Sequence, residues 1–169
     1  YETDPEGFRR RVGATDGSAK YPRDPRLRRA GYGIWWGCRH RRNVARPLLG
    51  PIQVVPRAEL RAVLHAARTQ TAPPLLLCDC EWVVDNVLRL IAARQGQTHL
   101  YRLVDKLDHA DVWKASREVL ARRPPHFLAI RKVKAHCTVR HERLGIISAR
   151  DRRFNDAVDA LAKRGADQY

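Results

Sequence analysis

Apolar positions along the chain change period several times, and each change marks an element. Arg10 to Thr15 reads as a strand running into Asp16-Gly17-Ser18, followed by a Pro- and Arg-rich loop from Lys20 to Arg29. Gly31 to Trp36 is a second strand, and Asn43 to Leu48 can pair with it across the basic turn Cys38 to Arg42 before Gly50 and Pro51 break the pattern. Pro56 suits the first turn of a helix in which Leu60, Val63, Leu64 and Ala67 recur at i, i+3, i+4 and i+7. Glu59 falls in that first turn, where a carboxylate also suits the helix dipole. After Pro73 and Pro74, the uninterrupted apolar run Leu75 to Cys78 predicts a fully buried strand ending at Asp79. Trp82, Val83, Asn86, Val87 and Leu90 are spaced as a helix ending near Gly96.

Further along, Leu100 to Leu107 predicts a short helix and His109 to Ala121 a longer one, with Val112, Ala115, Val119 and Leu120 inward and Pro124-Pro125 as its stop. His126 to Val133 predicts a fifth strand. Asn155 to Arg164 predicts a last helix packed through Val158, Leu161 and Ala162. Strands interleaved with helices place the chain in the α/β class. Trp35 and Trp36 alternate on their strand, so one faces the core and the other a helix or solvent.

A length of 169 residues suits one domain with a substantial core, residues 1–8 reading as a linker. The chain begins at Tyr1 rather than Met, as a piece excised from a longer polypeptide would. Lys and Arg number 33 against 18 acidic residues, a net charge of +15, which favours nucleic acid as a partner with strongly salt-dependent binding. Charge alone argues equally for an acidic protein partner or a ribosomal setting. No window approaches the roughly 18 apolar residues of a membrane span, and no signal-peptide core opens the chain, so an intracellular place, cytoplasmic or nuclear, is expected. Arg9-Arg10-Arg11 and Arg39 to Arg42 fit either nuclear import signals or a phosphate-binding face. Cys38, Cys78, Cys80 and Cys137 are too scattered for a zinc pair and read as reduced thiols. Cys78 and Cys80 share the strand face opposite Asp79 and read as buried, Cys137 as more exposed.

Against this basic background four carboxylates stand out: Asp16, Glu59, Asp79 and Asp159. Asp16 and Asp79 each close a predicted strand, where an α/β sheet presents its ligands, while Glu59 and Asp159 come from helices able to pack on that edge. Convergent hard oxygens select Mg²⁺ or Mn²⁺ over zinc. Two such ions roughly 4 Å apart clamp the attacking and leaving oxygens of an in-line phosphoryl displacement. Taken singly, each acid also has a purely structural reading: Asp16 in a turn, Asp79 capping the next helix, Asp159 in water.

The neighbourhoods of these acids resemble type 1 ribonuclease H, including the kind carried by retroelement reverse transcriptases. The similarity runs in order from Ala14 to Lys163: Thr15-Asp16-Gly17-Ser18 with Gly31-Tyr32-Gly33, Arg57-Ala58-Glu59-Leu60, Cys78-Asp79-Cys80-Glu81-Trp82-Val83-Val84, Asp111-Val112-Trp113, Val133-Lys134-Ala135-His136, and Asn155-Asp156-Ala157-Val158-Asp159-Ala160-Leu161-Ala162. It implies a mixed five-stranded sheet, strands one to three antiparallel, with helices on both faces. The implied activity is endonucleolytic hydrolysis of the RNA strand of an RNA/DNA hybrid, with two Mg²⁺ ions for which Mn²⁺ can substitute. Asp16 would bridge both ions, Glu59 and Asp79 would complete the one near the leaving group, Asp159 would help hold the other, and His136 would assist water delivery or product release. Contact with nucleic acid is implied for Ser18, Lys20, Arg57, Glu81, Trp82 and Lys134, and a covalent or non-covalent link to a reverse transcriptase is implied as well.

The chain departs from the family pattern in places. Val54, Val55 and Pro56 stand where polar amides are usual, Glu81 where Gln is often found, and Cys80 where Ser is usual; amides of that kind help read 2′-hydroxyls. His136 and Asp159 are 23 positions apart (159 − 136), and the Arg-rich segment 138–153 between them reads as a solvated insertion or as a lid or phosphate-binding arm. Trp113 reads as packing; Trp82 fits either packing or contact with a DNA sugar. Two further classes share the residues: a non-catalytic binding module, which has no reason to keep a repulsive acidic cluster, and a DNA-processing integrase or resolvase.

Overall fold

The computed structural model describes residues 1–168. Its centre is the strand β2 (Arg9–Lys20), flanked on one side by β3 (Arg29–Trp35) and β4 (Val44–Pro47) and on the other by β5 (Pro74–Cys78) and β6 (Ala129–Lys132), in the order β4-β3-β2-β5-β6. The first three pair antiparallel, whereas β2, β5 and β6 run parallel. A two-residue strand β1 (Glu2–Thr3) adds to the start of β2. The helices are α1 (Val55–Thr69), α2 (Glu81–Arg94), α3 (Tyr101–Asp105) after a single 3₁₀ turn, α4 (Ala110–Ala121), α5 (Val139–Arg143) and α6 (Ala149–Ala166).

The alternation of side chains across β2 and β5 divides the apolar residues between two layers. Leu76 and Cys78 join Leu60, Leu64, Val83 and Val87 beneath α1 and α2, and Val12, Ala14, Leu75 and Leu77 join Val158 beneath α6. Each fully buried Leu or Val contributes roughly 1.5–3 kcal/mol, so both layers hold their helices in place. All four positions of the predicted stripe on α1 are buried. On α4, Val112 and Leu120 are buried as expected, while Ala115 and Val119 pack partly buried at its margin and Trp113 takes the deepest place. Trp36 is in the core and Trp35 lies edge-on against Phe154 of α6.

Glycines let α6 lie close to the sheet. A Cβ on Gly31 would stand 2.1 Å from the Ala166 backbone nitrogen, and one on Gly33 would stand 2.8 Å from that of Ala162. The last helix is therefore seated backbone to backbone, which fixes the position of everything it carries.

Several boundaries differ from those the sequence predicts. β2 runs on through Asp16 to Lys20, because its pairing with β3 continues to Lys20 and Arg29. The strand expected over His126 to Val133 is limited to Ala129–Lys132, the part that pairs with β5. Residues 1–8 are tied down rather than a free linker: β1 pairs with β2, and Glu2 accepts from Arg131 at 2.8 Å and from Arg150 at 2.7 Å. Segment 138–153 is folded as well. Thr138 N donates to His141 Nδ1 at 2.9 Å at the start of α5, Ile147 is buried in the layer beneath α6, and Arg152 pairs with Glu142 at 2.9 Å. α6 then begins at Ala149, six positions before the predicted Asn155, with Ser148 Oγ accepting from Asp151 N. Cys137, expected to be more exposed, is buried beside Ile147.

Candidate metal centre

Parallel pairing of β2 with β5 ends at the register pair Thr15 and Cys78, so the next residues on the two strands are Asp16 and Asp79. Beyond that point the strands are no longer bonded to each other, and the two carboxylates stand side by side in the mouth of the split. This is the carboxyl end of the parallel strands, where α/β sheets bind their ligands.

Glu59 enters from above. α1 begins at Val55, one residue ahead of Pro56, which places Glu59 in the second turn rather than the first and turns it toward the sheet. It is only 3 % exposed. Gly17 makes the approach possible, since a Cβ there would meet the Glu59 backbone nitrogen at 2.7 Å. Ligand oxygens of Asp16, Glu59 and Asp79 all lie within 4.8 Å of one another.

The simpler roles for Asp16 and Asp79 do not fit the geometry. Asp79 caps no helix, because the N-cap of α2 is Cys80 and no side-chain cap bond is made there. Asp16 sits inside a strand, its Oδ1 accepting from Gly17 N at 2.9 Å, and is 5 % exposed. Asp159 stands apart from the tight group: half-buried on α6, it accepts from Lys163 Nζ at 2.8 Å. Its charge nevertheless acts on both Asp16 and Asp79.

Burial and mutual repulsion make ionisation difficult. Asp16 is pushed up to about 7, first by burial, with Asp79 and Asp159 adding to it against an opposing bond from Glu59. Burial and the neighbouring Asp16 raise the Glu59 carboxyl well above its usual range. Asp79 is also raised by burial, although Asn155 and the nearby His136 and Lys132 favour its charged form. Three oxygen acids that cannot all ionise in a dry site fit a hard divalent cation, which would remove the repulsion. Asn155 supports the fit: its buried Oδ1 has no partner among the described residues and lies on the residue that bonds Asp79.

A pH dependence follows. The folded-state values of these acids lie above their unfolded values near 4, so their contribution to stability is complete below about pH 4 and is lost as pH rises above that, for Asp16 as it passes about 7. Metal-free protein is expected to lose thermal stability from about pH 4 through about pH 7, and millimolar Mg²⁺ to restore it increasingly over that range. Thermal midpoints with and without Mg²⁺ check this; a Mg²⁺ effect independent of pH would contradict it.

The remaining expected site residues are distributed around this centre. His136 is exposed on the loop after β6, in a left-handed conformation (φ 52°), close enough to Asp79 for its charge to act there. Lys134 and Glu81 are exposed, Glu81 opening α2, and Ser18 is half-buried on β2 opposite Gly31. Lys20 pairs with Asp167 at 3.0 Å. Arg57 is not a free cation: it grips Asp111 of α4 through both oxygens, Nη1 at 2.8 Å from Oδ1. Trp82 lies edge-on to Trp113 at 5.7 Å and to His109 at 6.1 Å, so the expected Asp111-Val112-Trp113 motif locks α4 to α1 and α2. Asp111 is largely exposed, so Arg57→Gln should cost below about 1 kcal/mol in denaturant unfolding.

Sequence reasoning assigned no site role to four residues that touch or act on these acids. Asn155 bonds Asp79, Lys132 acts on Asp79 from the end of β6, Lys163 holds Asp159, and the Cys78 thiol points at Glu59 Oε2 at 3.8 Å. The signal available for Asn155 and Lys163 was their i, i+4 spacing on either side of Asp159.

Comparison with known proteins adds a family. The family model for RNase H matches residues 10–167. No curated protein sequence matches the chain. Among solved structures, the RNase H domain of prototype foamy virus (PFV) is 24% identical, with 92% of this chain and 93% of that one covered and a TM-score of 0.61. The prototype foamy virus protease-reverse transcriptase is 22% identical over 98% of this chain, TM-score 0.61, and this chain spans 22% of its length. The foamy viral protease-reverse transcriptase in complex with RNA/DNA hybrid is 20% identical over 92% of this chain and 20% of that one, TM-score 0.57. At these identities the likeness is one of fold.

Proposed function

Because the chain belongs to the RNase H family, we propose that it is a divalent-metal-dependent endonuclease that hydrolyses the RNA strand of RNA/DNA hybrids. The observation that carries this reading is the meeting of Asp16, Glu59 and Asp79 from three separate elements where β2 and β5 part. Asp16, Glu59 and Asp79 would hold one Mg²⁺, and Asp16 with Asp159 a second. The bound ions supply fixed positive charge against the oxygens of the scissile phosphate.

The chain's own residues prepare that site. Asn155 orients Asp79, the Cys78 thiol donates toward Glu59, and the backbone of Gly17 holds Asp16 Oδ1. Lys163 pairs with Asp159 at 2.8 Å, and a break in that pair would leave the fourth carboxylate available to a second ion. His136, exposed beside Asp79, is placed to exchange protons with water at the mouth of the site and to ease product release. Hydrolysis forms a bond from a water oxygen to phosphorus and breaks the bond to the 3′ oxygen, leaving 5′-phosphate and 3′-hydroxyl ends. The excess of basic residues favours such a polyanionic substrate.

The foamy virus likeness supports a reverse transcriptase as the natural setting, joined covalently or bound, and a cytoplasmic or nuclear place of action. The test uses end-labelled RNA/DNA hybrid beside RNA and DNA duplexes of the same sequence. Cleavage of the hybrid's RNA strand alone, dependent on Mg²⁺ or Mn²⁺ and abolished by chelator, is expected. An intact hybrid under both metals, or equal cutting of the DNA duplex, refutes the reading.

A further inference from the structure

A second concave site lies away from the acids, where β3 and β4 meet the outer face of α1. It encloses about 310 Å³ and is lined by Tyr32, Arg46, Arg61, His65, Arg68 and Thr69 together with less polar neighbours. Arg61, His65 and Arg68 recur at i, i+4 and i+7, so one face of α1 forms a basic wall, and β4 supplies Arg46 to the lining.

None of the three arginines has a carboxylate partner among the described residues, and no acid lines the cavity. Some arginines elsewhere face acids, as Arg10 does Asp4 and Arg57 does Asp111, and others stand singly on the surface; here three converge on one hollow that no acid lines. Three guanidiniums around one hollow repel each other unless an anion lies between them.

The floor is polar and built. Tyr32 is buried, and its hydroxyl lies 2.9 Å from His65 Nδ1. Burial, reinforced by Arg46, Arg61 and Arg68, holds His65 below its ordinary value and keeps the ring neutral. Nε2 is the ring nitrogen that makes no bond to the tyrosine.

We propose that this cavity binds a phosphate group, clamped by Arg46, Arg61 and Arg68 over the Tyr32–His65 floor, as a site separate from the acidic centre. Planar guanidiniums suit tetrahedral oxyanions through paired N–H donors. The phosphate comes either from a nucleic-acid backbone passing the β4 edge or from a free phosphorylated compound. The site does not depend on the hydrolytic reading and stands or falls by itself.

The probe is inorganic phosphate, titrated at low ionic strength into the full chain while the His65 ring resonances are followed by NMR. Saturable movement of these signals is expected, with affinity falling about tenfold for each arginine removed in Arg61→Ser and Arg61→Ser/Arg68→Ser. A cooperative thermal unfolding transition in the absence of added ligand reports that each variant is folded, and Arg46→Ser replaces either that is not. Displacement of phosphate by a single-stranded oligonucleotide identifies a nucleic-acid backbone as the source, and its failure to displace identifies a free compound. No saturable change at His65 in the wild-type chain, or equal affinity in folded arginine variants, overturns the proposal.

Discussion

Asp79→Asn should abolish hybrid cleavage while making the metal-free protein more stable. The two effects share one cause. Asp79 stands next to the last paired residue of its strand, beside Asp16 on the adjoining one, and its charge adds to the burial that pushes the Asp16 carboxyl up to about 7. Exchanging it for a neutral amide of the same shape removes one member of a repulsive trio, so Asp16 and Glu59 ionise more easily and the folded state no longer resists their charge. The amide lacks the charge that would hold a divalent ion, and a loss of on the order of 10³-fold in cleavage rate or more is expected. Stabilisation by Mg²⁺ should shrink in parallel. Cleavage of labelled hybrid and thermal midpoints at about pH 8, with and without Mg²⁺, read both effects. A variant that kept full activity would remove Asp79 from the reaction, and one that lost both activity and metal-free stability would mark it as a structural residue.

Asp159→Asn separates the fourth acid from the other three. It lies outside their tight group and is paired with Lys163, so the first metal position should survive its loss. Stabilisation by Mg²⁺ close to that of wild type, with cleavage strongly reduced, is the expected result. Equal loss of both would place Asp159 with the other three.

How much of this was legible in the sequence follows from how each residue is held. Asp16 and Asp79 were legible because an apolar strand interrupted by a single acid leaves little freedom: register then sets the two carboxylates side by side. Glu59 was legible as a candidate, but its turn was not. One residue of difference in where α1 starts separates a dipole-stabilised surface acid from a buried ligand. The first turns of α6 were hidden because Ala149 to Arg153 is dominated by charge, and the apolar spacing that signals a helix begins only at Phe154 and Val158. Their helix is held by the Ser148 cap and by the ion pairs of Asp151 with Arg131 and of Arg150 with Glu2, partners 20 and 148 positions away that no local pattern reports. Arg57 shows what local pattern leaves out. A basic residue in a nucleic-acid-binding chain suggests a phosphate contact, yet its partner Asp111 lies 54 positions away and no local pattern reports it.

Gly31→Ala should damage the protein without altering any of the four acids, and it tests how far they depend on the last helix. The added methyl carbon would stand 2.1 Å from the Ala166 nitrogen, 2.3 Å from the Gly165 carbonyl carbon and 2.8 Å from the Ala166 Cα. These are backbone atoms, so no side-chain rotation relieves the clash, and either the end of α6 or β3 must move. Overpacking of this kind costs about 1–3 kcal/mol, and more where only backbone can yield. The damage should travel along α6. Val158, Asn155 and Asp159 sit on the same helix, and Gly33 is seated against Ala162 one turn before the clash. A helix that lifts at its C-terminal end loses the alignment that brings Asn155 to Asp79 and the charge of Asp159 near Asp16. Denaturant unfolding should show the loss of stability, and cleavage should fall while Mg²⁺ still stabilises the protein through Asp16, Glu59 and Asp79. Wild-type stability and activity in Gly31→Ala would mean that α6 is free to shift and that its backbone contact with β3 does not set the position of the fourth acid.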